Sequence, residues 1–60
     1  MKYGAFHKIV VRNGWVVLRQ RGSHIIYRKG DITYPVPYHG SKEMGKGLQK
    51  KMMREMGLDD

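Results

Sequence analysis

The sequence predicts an α+β fold in two layers, with a helix, a three-stranded antiparallel sheet and a second helix in that order along the chain. Apolar residues at helical spacing stand near both ends, and β-branched and aromatic residues fill the middle, where two short glycine-containing segments interrupt them. Sixty residues leave room for one hydrophobic core, so we expect a single domain over residues 1–60 with both helices on one face of the sheet.

The first helix is predicted from Tyr3 to Asn13. Phe6, Ile9 and Val10 recur at i, i+3 and i+4, which places them on one helical face, and an Asn-Gly pair ends the pattern. Gly4 stands where Ser, Thr or Asp would cap the helix better. We therefore expect tertiary packing to complete this helix.

Three short strands are predicted between the helices, and they run from Trp15 to Gln20, from His24 to Lys29 and from Ile32 to Val36. Gly22-Ser23 and Lys29-Gly30-Asp31 separate them and have the composition of tight hairpin turns. The two prolines of the third segment, Pro35 and Pro37, mark an edge strand or an exit from the sheet.

The second helix is predicted to begin with Ser41 as its N-cap and Glu43 in the first turn, where a carboxylate complements the helix dipole. Gly45 and Gly47 each cost a helix roughly 1 kcal/mol relative to alanine, so they indicate either close approach to the sheet or a frayed first turn. We expect the helix to end at Gly57, with the next apolar residue folding back onto it. Its predicted core stripe repeats every four residues and consists of Met44, Leu48, Met52 and Met56.

The charge balance favours a polyanionic partner. Twelve Lys and Arg residues stand against five Asp and Glu, which gives a formal net charge of +7. The same excess could instead keep the protein soluble or attract an acidic protein. The chain has no cysteine, and no apolar run approaches the ~20 residues of a membrane span. These features predict a soluble protein of a reducing, cytoplasmic compartment that is not inserted in a membrane.

Four blocks of the sequence carry a resemblance to a known family. They are Asn13-Gly14-Trp15, then Arg19-Gln20-Arg21-Gly22-Ser23-His24, then Val36-Pro37-Tyr38-His39-Gly40-Ser41-Lys42-Glu43, and finally Gly47-Leu48 together with Glu55-Met56-Gly57-Leu58. In order and spacing these blocks resemble HicA-type toxins, and the resemblance covers nearly all of the chain from Phe6 onward. The sequence departs from the family at Gly4 and at core positions where methionine replaces the commoner Ile or Leu.

The resemblance implies a double-stranded-RNA-binding-like fold. It also implies the function of a type II toxin, a ribonuclease (mRNA interferase) that cleaves messenger RNA and so inhibits translation and growth. The histidine of the Gly-Ser-His motif, His24, would be required for toxicity, and an antitoxin of the HicB type would neutralise the protein.

The alternation of side chains along a strand gives a prediction for His24 that does not depend on the resemblance. Because side chains two apart share a face, we expect His24, Ile26 and Arg28 on the open face of the sheet. Ile25 and Tyr27 should then point into the core. An exposed histidine without a role is the simpler interpretation of such a position. Cations around an imidazole, however, favour the neutral form that a general base needs. Attack of a ribose 2′-hydroxyl on the adjacent phosphate requires that base, an acid and cations that hold the negative charge.

Supporting roles are predicted for three residues near the site. Ser23 could bind phosphate or orient His24, although a turn role for Gly22 and Ser23 is equally open. His39 precedes the predicted helix start, where phosphate binds well, and could be the acid or an RNA contact; a loop histidine packed beside a proline is the alternative. His7 is predicted to lie at the exposed side of the first helix as solvated surface.

The predicted RNA contacts form two groups. The first comprises Arg19, Arg21, Arg28 and Lys29 near His24, and the second comprises Lys42, Lys46 and Lys50 along the second helix. A solvated helix face is the alternative for the second group. Trp15 and Tyr38 could stack on bases, although a Trp directly after a helix more often anchors the core.

No metal ion and no cofactor are predicted. Asp31 falls in a hairpin turn, and Asp59 and Asp60 form a tail, so no pair of carboxylates is spaced to hold Mg²⁺. The expected reaction is therefore independent of metal.

Two other functions fit the same chain. A catalytically silent RNA-binding module would use the same fold and the same cations, and a small basic protein could instead act only by assembling with an acidic partner. Replacement of His24 distinguishes the RNA-binding module from an enzyme, because it should abolish the activity of an enzyme and only slightly weaken RNA binding by a module. For an enzyme we expect the antitoxin to cover the surface of His24, Arg19, Arg21 and Arg28, with docking on the helical side as the alternative.

Overall fold

A computed structural model describes residues 1–59 of the chain, and the elements follow the predicted order. They are α1 (Tyr3–Arg12), β1 (Val16–Arg21), β2 (His24–Lys29), β3 (Ile32–Pro37) and α2 (Lys46–Met56). The predicted α+β class and the αβββα order are confirmed. The limits of β2 and the start of β3 match the prediction, while both ends of β1 and the end of β3 differ from it by one residue. The tail prediction for Asp60 lies outside the described residues. Neither helix is long and apolar enough to cross a membrane.

The N-terminus of α1 is capped by another part of the chain. Its N-cap residue, Lys2, makes no side-chain cap bond. Instead, the backbone N–H groups of Tyr3 and Gly4 donate to the carbonyl oxygens of Lys42 and Gly40, at 3.1 and 3.2 Å. Free N–H groups of a first helical turn need such acceptors. The expectation that tertiary packing completes this helix is confirmed.

The three strands form one antiparallel sheet in the order β1-β2-β3. Each connecting turn has two residues and begins with a glycine at positive φ, Gly22 at 60° and Gly30 at 61°, which is the pattern of a type II′ hairpin turn. The pairing of β1 with β2 shifts between Val17 and Arg19, so the intervening Leu18 is a bulge. Every side chain of β1 is exposed, because this strand lies at the sheet edge beyond the cover of the helices.

The prolines of β3 occupy positions that a sheet edge tolerates. The N–H of Tyr38 donates to the carbonyl of Ser23 at 2.7 Å, which continues the β2–β3 ladder one residue beyond the strand. Pro37, opposite His24, and Pro35, opposite Ile26, therefore stand at non-hydrogen-bonded positions. Their missing N–H groups would have pointed away from β2, so the ladder loses nothing. The prediction of an edge strand is confirmed.

One face of the sheet and both helices enclose the core. Ile25 and Tyr27 of β2 point to this covered face, together with Tyr34 and Val36 of β3, their cross-strand partners. The buried residues that meet there are Phe6, Ile9, Val10, Trp15, Tyr27, Val36, Met44, Met52, Met56 and Leu58. Two helices on one face, as predicted, leave the opposite face of the sheet open.

The predicted start of α2 is wrong. The helix begins at Lys46 with Gly45 as its N-cap, so Ser41 is not a cap and Glu43 is not in the first turn. Residues 43 and 44 instead pair with the N-terminus of the chain, where Glu43 forms a bridge to Lys2 and the N–H of Met44 donates to the Met1 carbonyl at 2.9 Å. This pairing holds the segment extended and outcompetes the local helix signal.

The core stripe of α2 is confirmed for its methionines. Met44, Met52 and Met56 are buried, although Met44 reaches the core from the extended segment before the helix. Leu48 is 36% exposed, so its place in the stripe is wrong. A Cβ at Gly45 or Gly47 would meet no atom within 4 Å, which excludes the close approach to the sheet that these glycines suggested.

The C-terminus of α2 forms a Schellman motif. Gly57 has φ 63°, and the N–H of Leu58 donates to the carbonyl of Met53 at 2.9 Å, which seats the Leu58 side chain in the core as predicted. Asp59 is not a free tail. Its backbone N–H and carbonyl both bond to the Asn13 side chain at 2.9 Å, which ties this end of the chain to the end of α1.

Candidate active site on the open sheet face

His24 lies at the end of the β1–β2 hairpin on the open face, in a row of three residues that crosses the sheet. Arg21 is its partner on β1 and Pro37 its partner on β3. Cross-strand partners project from the same face, and at a non-hydrogen-bonded pair such as His24 and Pro37 the two side chains are closest. The exposed imidazole therefore has a guanidinium on one side and a rigid pyrrolidine ring on the other.

The neighbouring rows add positive charge and no negative charge. Arg19 pairs with Ile26, and Arg28 pairs with Thr33 and Val16, so all of these side chains share the face of His24. As predicted, the open face that carries His24 also carries Arg19, Arg21 and Arg28. We call the surface of His24 and these three arginines the cationic face.

A shallow depression of about 550 Å³ lies beside His24. Its lining residues are Arg21, Gly22, His24, Ile26 and Pro35. Ile26 and Pro35 supply an apolar floor on which a sugar or base can lie, while the imidazole and the guanidinium supply polar groups at the rim. This combination suits a ligand that has both a flat apolar part and an anion.

The turn residues next to His24 have backbone roles. Gly22 supplies the positive φ that the hairpin needs, and the Ser23 carbonyl accepts the hydrogen bond from Tyr38. The Ser23 side chain is exposed. The structural contribution of both residues is thus to fix the backbone from which His24 projects.

Lys29 does not belong to the cationic face. Strand parity places it with Tyr27 on the covered side, and its Nζ donates to the Asn13 carbonyl at 2.8 Å. Lys29, which was predicted to contact RNA near His24, therefore does not lie beside His24. The side-chain alternation that correctly placed Arg28 also separates Lys29 from it.

His39 does not lie at a helix N-terminus. The helix begins seven residues later, at Lys46, so the premise for phosphate binding at His39 is wrong. The exposed ring of His39 instead makes an edge-on contact with Tyr3, with ring centroids 4.9 Å apart. This position is not among the residues that line the depression at His24.

The lysines of the second predicted group lie on the helical side of the molecule. Lys42 is in the loop before α2, and Lys46 and Lys50, four residues apart, share one side of that helix. All three are exposed. They form a second basic surface, separated from the cationic face by the sheet.

The two aromatic residues proposed as stacking platforms differ. Trp15 is 4% exposed and part of the core, and its buried Nε1 has no hydrogen-bond partner among the described residues, so it does not offer its ring to a base. Tyr38 is 43% exposed at the end of β3. Of these two residues, Tyr38 is the one that keeps a ring surface in solvent.

His7 is the residue that the sequence interpretation misplaced. It is buried, not solvated, and both ring nitrogens are bonded: Nδ1 lies 2.6 Å from the Tyr27 hydroxyl and Nε2 lies 2.9 Å from the Pro37 carbonyl oxygen. Burial lowers the pKa of His7, an effect that the Pro37 hydrogen bond opposes. Its spacing of four from Tyr3 and three from Val10 was the available signal that it flanks the apolar stripe.

The carboxylates of residues 1–59 are dispersed. Glu43 pairs with the terminal amine of Met1 at 3.2 Å, and Glu55 accepts a hydrogen bond from Tyr34 at 2.5 Å. Within this described range, no three His, Cys, Asp or Glu side chains come together as a metal-binding group. The chemistry available on the cationic face is therefore that of an imidazole and guanidinium groups.

The fold and this face define a small basic α+β protein that presents an exposed histidine among arginines to solvent. The family described as the HicA toxin of bacterial toxin-antitoxin systems matches residues 5–58. A curated relative named "Probable mRNA interferase HicA", from Pseudomonas fluorescens (strain Pf0-1), is 35% identical over 60 residues and covers 100% of each chain. The chain belongs to the HicA toxin family, and the resemblance inferred from its motifs is confirmed. No solved structure matches the chain.

Proposed function

We propose that this chain is the toxin of a toxin-antitoxin pair and an endoribonuclease that cleaves messenger RNA with His24 as its base. The observation that carries the proposal is the row of Arg21, His24 and Pro37 on a face where the described strand residues include arginines and no carboxylate. The relative's name, an mRNA interferase, supplies the substrate class.

The reaction uses the groups of this face in sequence. His24 removes the proton of a ribose 2′-hydroxyl, and the 2′-oxygen attacks the adjacent phosphorus. The bond from phosphorus to the 5′-oxygen breaks, and that oxygen leaves with a proton from the solvent to which the face is open. The products are a 2′,3′-cyclic phosphate and a 5′-hydroxyl end. Arg21 and Arg19 stabilise the negative charge that develops on the phosphorane oxygens.

No metal ion and no cofactor enter this mechanism. An imidazole and guanidinium groups supply the base and the positive charge, and the dispersed carboxylates are each engaged elsewhere or stand alone. Cleavage should therefore continue when divalent cations are chelated.

RNA binding uses the cationic face first. Arg19, Arg21 and Arg28 contact phosphates around the cleavage site, with Ile26 and Pro35 beneath the nucleotide. Lys42, Lys46 and Lys50 on the helical side are a second, sequence-independent contact for longer or structured RNA. His39 and Lys29 take no part in catalysis.

The antitoxin partner is an acidic protein of the HicB type that covers the cationic face. Covering it blocks RNA and pairs the exposed arginines with carboxylates, so one contact supplies both inhibition and affinity. If the antitoxin docked on the helical side instead, His24 would stay accessible in the complex and the complex would still bind RNA.

The test of the function is inducible expression in cells, with growth and RNA integrity scored together. The chain should arrest growth and fragment messenger RNA, His24→Ala should do neither, and His39→Ala should behave like the parent chain. Growth arrest by His24→Ala with intact RNA would assign a binding function in place of catalysis. Arrest with fragmented RNA would remove His24 from the mechanism.

A further inference from the structure

We propose that His7 is a positioning residue for His24, and that it acts by clamping the end of β3 beside the catalytic histidine. His7 lies on α1 and its ring is on the covered side of the sheet, so it touches no RNA. The inference rests on the proposed catalytic role of His24 and adds a residue to which neither the family match nor the relative's name gives a role.

The two hydrogen bonds of His7 determine its tautomer. A carbonyl oxygen can only accept, so Nε2 carries the hydrogen and donates it to Pro37 at 2.9 Å. Nδ1 is then the unprotonated nitrogen and accepts the hydrogen of the Tyr27 hydroxyl at 2.6 Å. Tyr27 thereby orients the ring that binds Pro37, and an edge-on contact with Tyr38, at 5.0 Å between centroids, holds the ring from another side.

The clamp acts on the residue that stands next to His24. Pro37 is the last residue of β3 and the cross-strand partner of His24. Because this pair is not hydrogen-bonded, the Pro37 carbonyl points away from β2, and in that direction it meets His7. On the side of β2, the chain is held by the bond from the Tyr38 N–H to the Ser23 carbonyl at 2.7 Å.

Residues 37 and 38 are thus fixed from both sides, by His7 and by Ser23. Ser23 is the residue immediately before His24, so movement of this strand end reaches both the wall beside the imidazole and the backbone that carries it. Catalytic groups must be held to within about 0.5 Å, and a displacement of about 1 Å can cost roughly 10²-fold in rate. Loss of the clamp should therefore lower the rate of the chemical step more than it weakens RNA binding.

Two substitutions at position 7 separate positioning from packing. His7→Phe keeps a ring against Tyr27 and Tyr38 but removes both hydrogen bonds, whereas His7→Gln keeps a donor for the Pro37 carbonyl. Each is assayed by RNA cleavage for kcat and KM, by amide hydrogen exchange at Tyr38, and by the NMR signals of the His24 ring, at a temperature where both variants are folded. Tyr27→Phe serves as a milder variant in which the ring of His7 stays but is no longer oriented.

For His7→Phe we expect kcat to fall by roughly 10-fold or more with KM changed less than about 2-fold, faster exchange of the Tyr38 amide, and shifted His24 signals. His7→Gln should recover most of kcat and of the Tyr38 protection, and Tyr27→Phe should lie between. Folded His7→Phe with parental kcat and parental Tyr38 protection would overturn the proposal, as would equal loss of kcat in both variants.

Failure of the positioning role of His7 can be distinguished from failure of the proposed function. That function is judged by cleavage with the parent chain alone. If the parent chain does not cleave RNA, the catalytic role of His24 fails, while faster Tyr38 exchange and shifted His24 signals in His7→Phe still report whether the clamp holds this strand end. If the parent cleaves and the kcat values do not separate the two variants, the positioning role fails alone.

Discussion

On β2, alternate side chains meet two different environments. Ile25 and Tyr27 pack beneath the helices, while His24 and Arg28 stand in solvent on the cationic face. The two histidines near this strand repeat the contrast, because His7 is buried with both nitrogens bonded and His24 is exposed. A chain of 60 residues has one core, and that core needs only one side of its sheet. The other side can therefore hold like charges without a cost in packing.

The largest expected effect is a difference in stability between substitutions on the covered face and on the open face of the sheet. Phe6→Ala removes a ring that is 0% exposed and should cost ~3–5 kcal/mol of unfolding free energy, a large share for a domain of this size. His24→Ala should stay within about 0.5 kcal/mol of the parent chain, because its side chain is exposed. Urea unfolding followed by circular dichroism measures both. A loss above about 2 kcal/mol in His24→Ala would mean that the open face is part of the fold.

A second prediction concerns RNA binding by the same two faces. Arg19→Ala and Arg21→Ala should each weaken binding of a non-cleavable RNA and reduce its salt dependence, by about 0.7–0.9 in the logarithmic slope for each phosphate that the variant no longer neutralises. Lys29→Ala is the matched control, since it removes the same charge from the covered side. Fluorescence anisotropy at several salt concentrations gives the slopes. Equal slopes for Arg21→Ala and Lys29→Ala would remove the cationic face from RNA binding.

A third prediction uses the pH dependence of stability. Burial lowers the pKa of His7 below its ordinary value of 6.5, so the unfolded chain binds the proton more readily than the folded one. The stability that neutral His7 contributes is complete above about pH 6.5 and is lost as the pH falls from there toward the folded pKa. The ionisable side chains beside it are Lys2, Lys8, Arg12, Tyr27 and Tyr38, and this set contains no carboxylate that would favour the protonated ring.

Thermal midpoints at about pH 7.5 and pH 5.5 for the parent chain and for His7→Gln measure this effect. The parent should lose more on acidification than His7→Gln, because glutamine has no proton to gain. Equal losses in the two proteins would show that another group determines the acid sensitivity.

The smallest expected effect lies where α2 meets β3. The hydrogen bond to Glu55 is the main reason that the pKa of Tyr34 is raised to about 12, and burial and the Glu55 charge act in the same direction. In Glu55→Gln the Tyr34 ring signals should titrate closer to pH 10, with a stability change below about 1 kcal/mol because the pair is exposed. NMR titration reads this directly. An unchanged titration of Tyr34 would exclude the contact in solution.

Local patterns in the sequence predicted much of this molecule. Helical spacing around Phe6 located α1, and glycine-containing turns and alternation located β2 and the exposed position of His24, because each signal spans only a few residues. The start of α2 was missed because the contact of Met44 with Met1 decides it. His7 was missed because its partners, Tyr27 and Pro37, stand 20 and 30 residues away. A polar residue beside an apolar stripe gives no sign of such partners.

One measurement tests the central claim directly. The claim is that His24 on the cationic face cleaves RNA through a ribose 2′-hydroxyl. The purified chain is incubated with an end-labelled RNA in EDTA, the cleavage site is mapped, and the same RNA is tested with a single 2′-deoxy substitution on the 5′ side of that bond. We predict cleavage of the all-RNA strand to a 2′,3′-cyclic phosphate and none at the substituted bond. Cleavage at the 2′-deoxy position, or products with a 3′-hydroxyl and a 5′-phosphate, would contradict the mechanism.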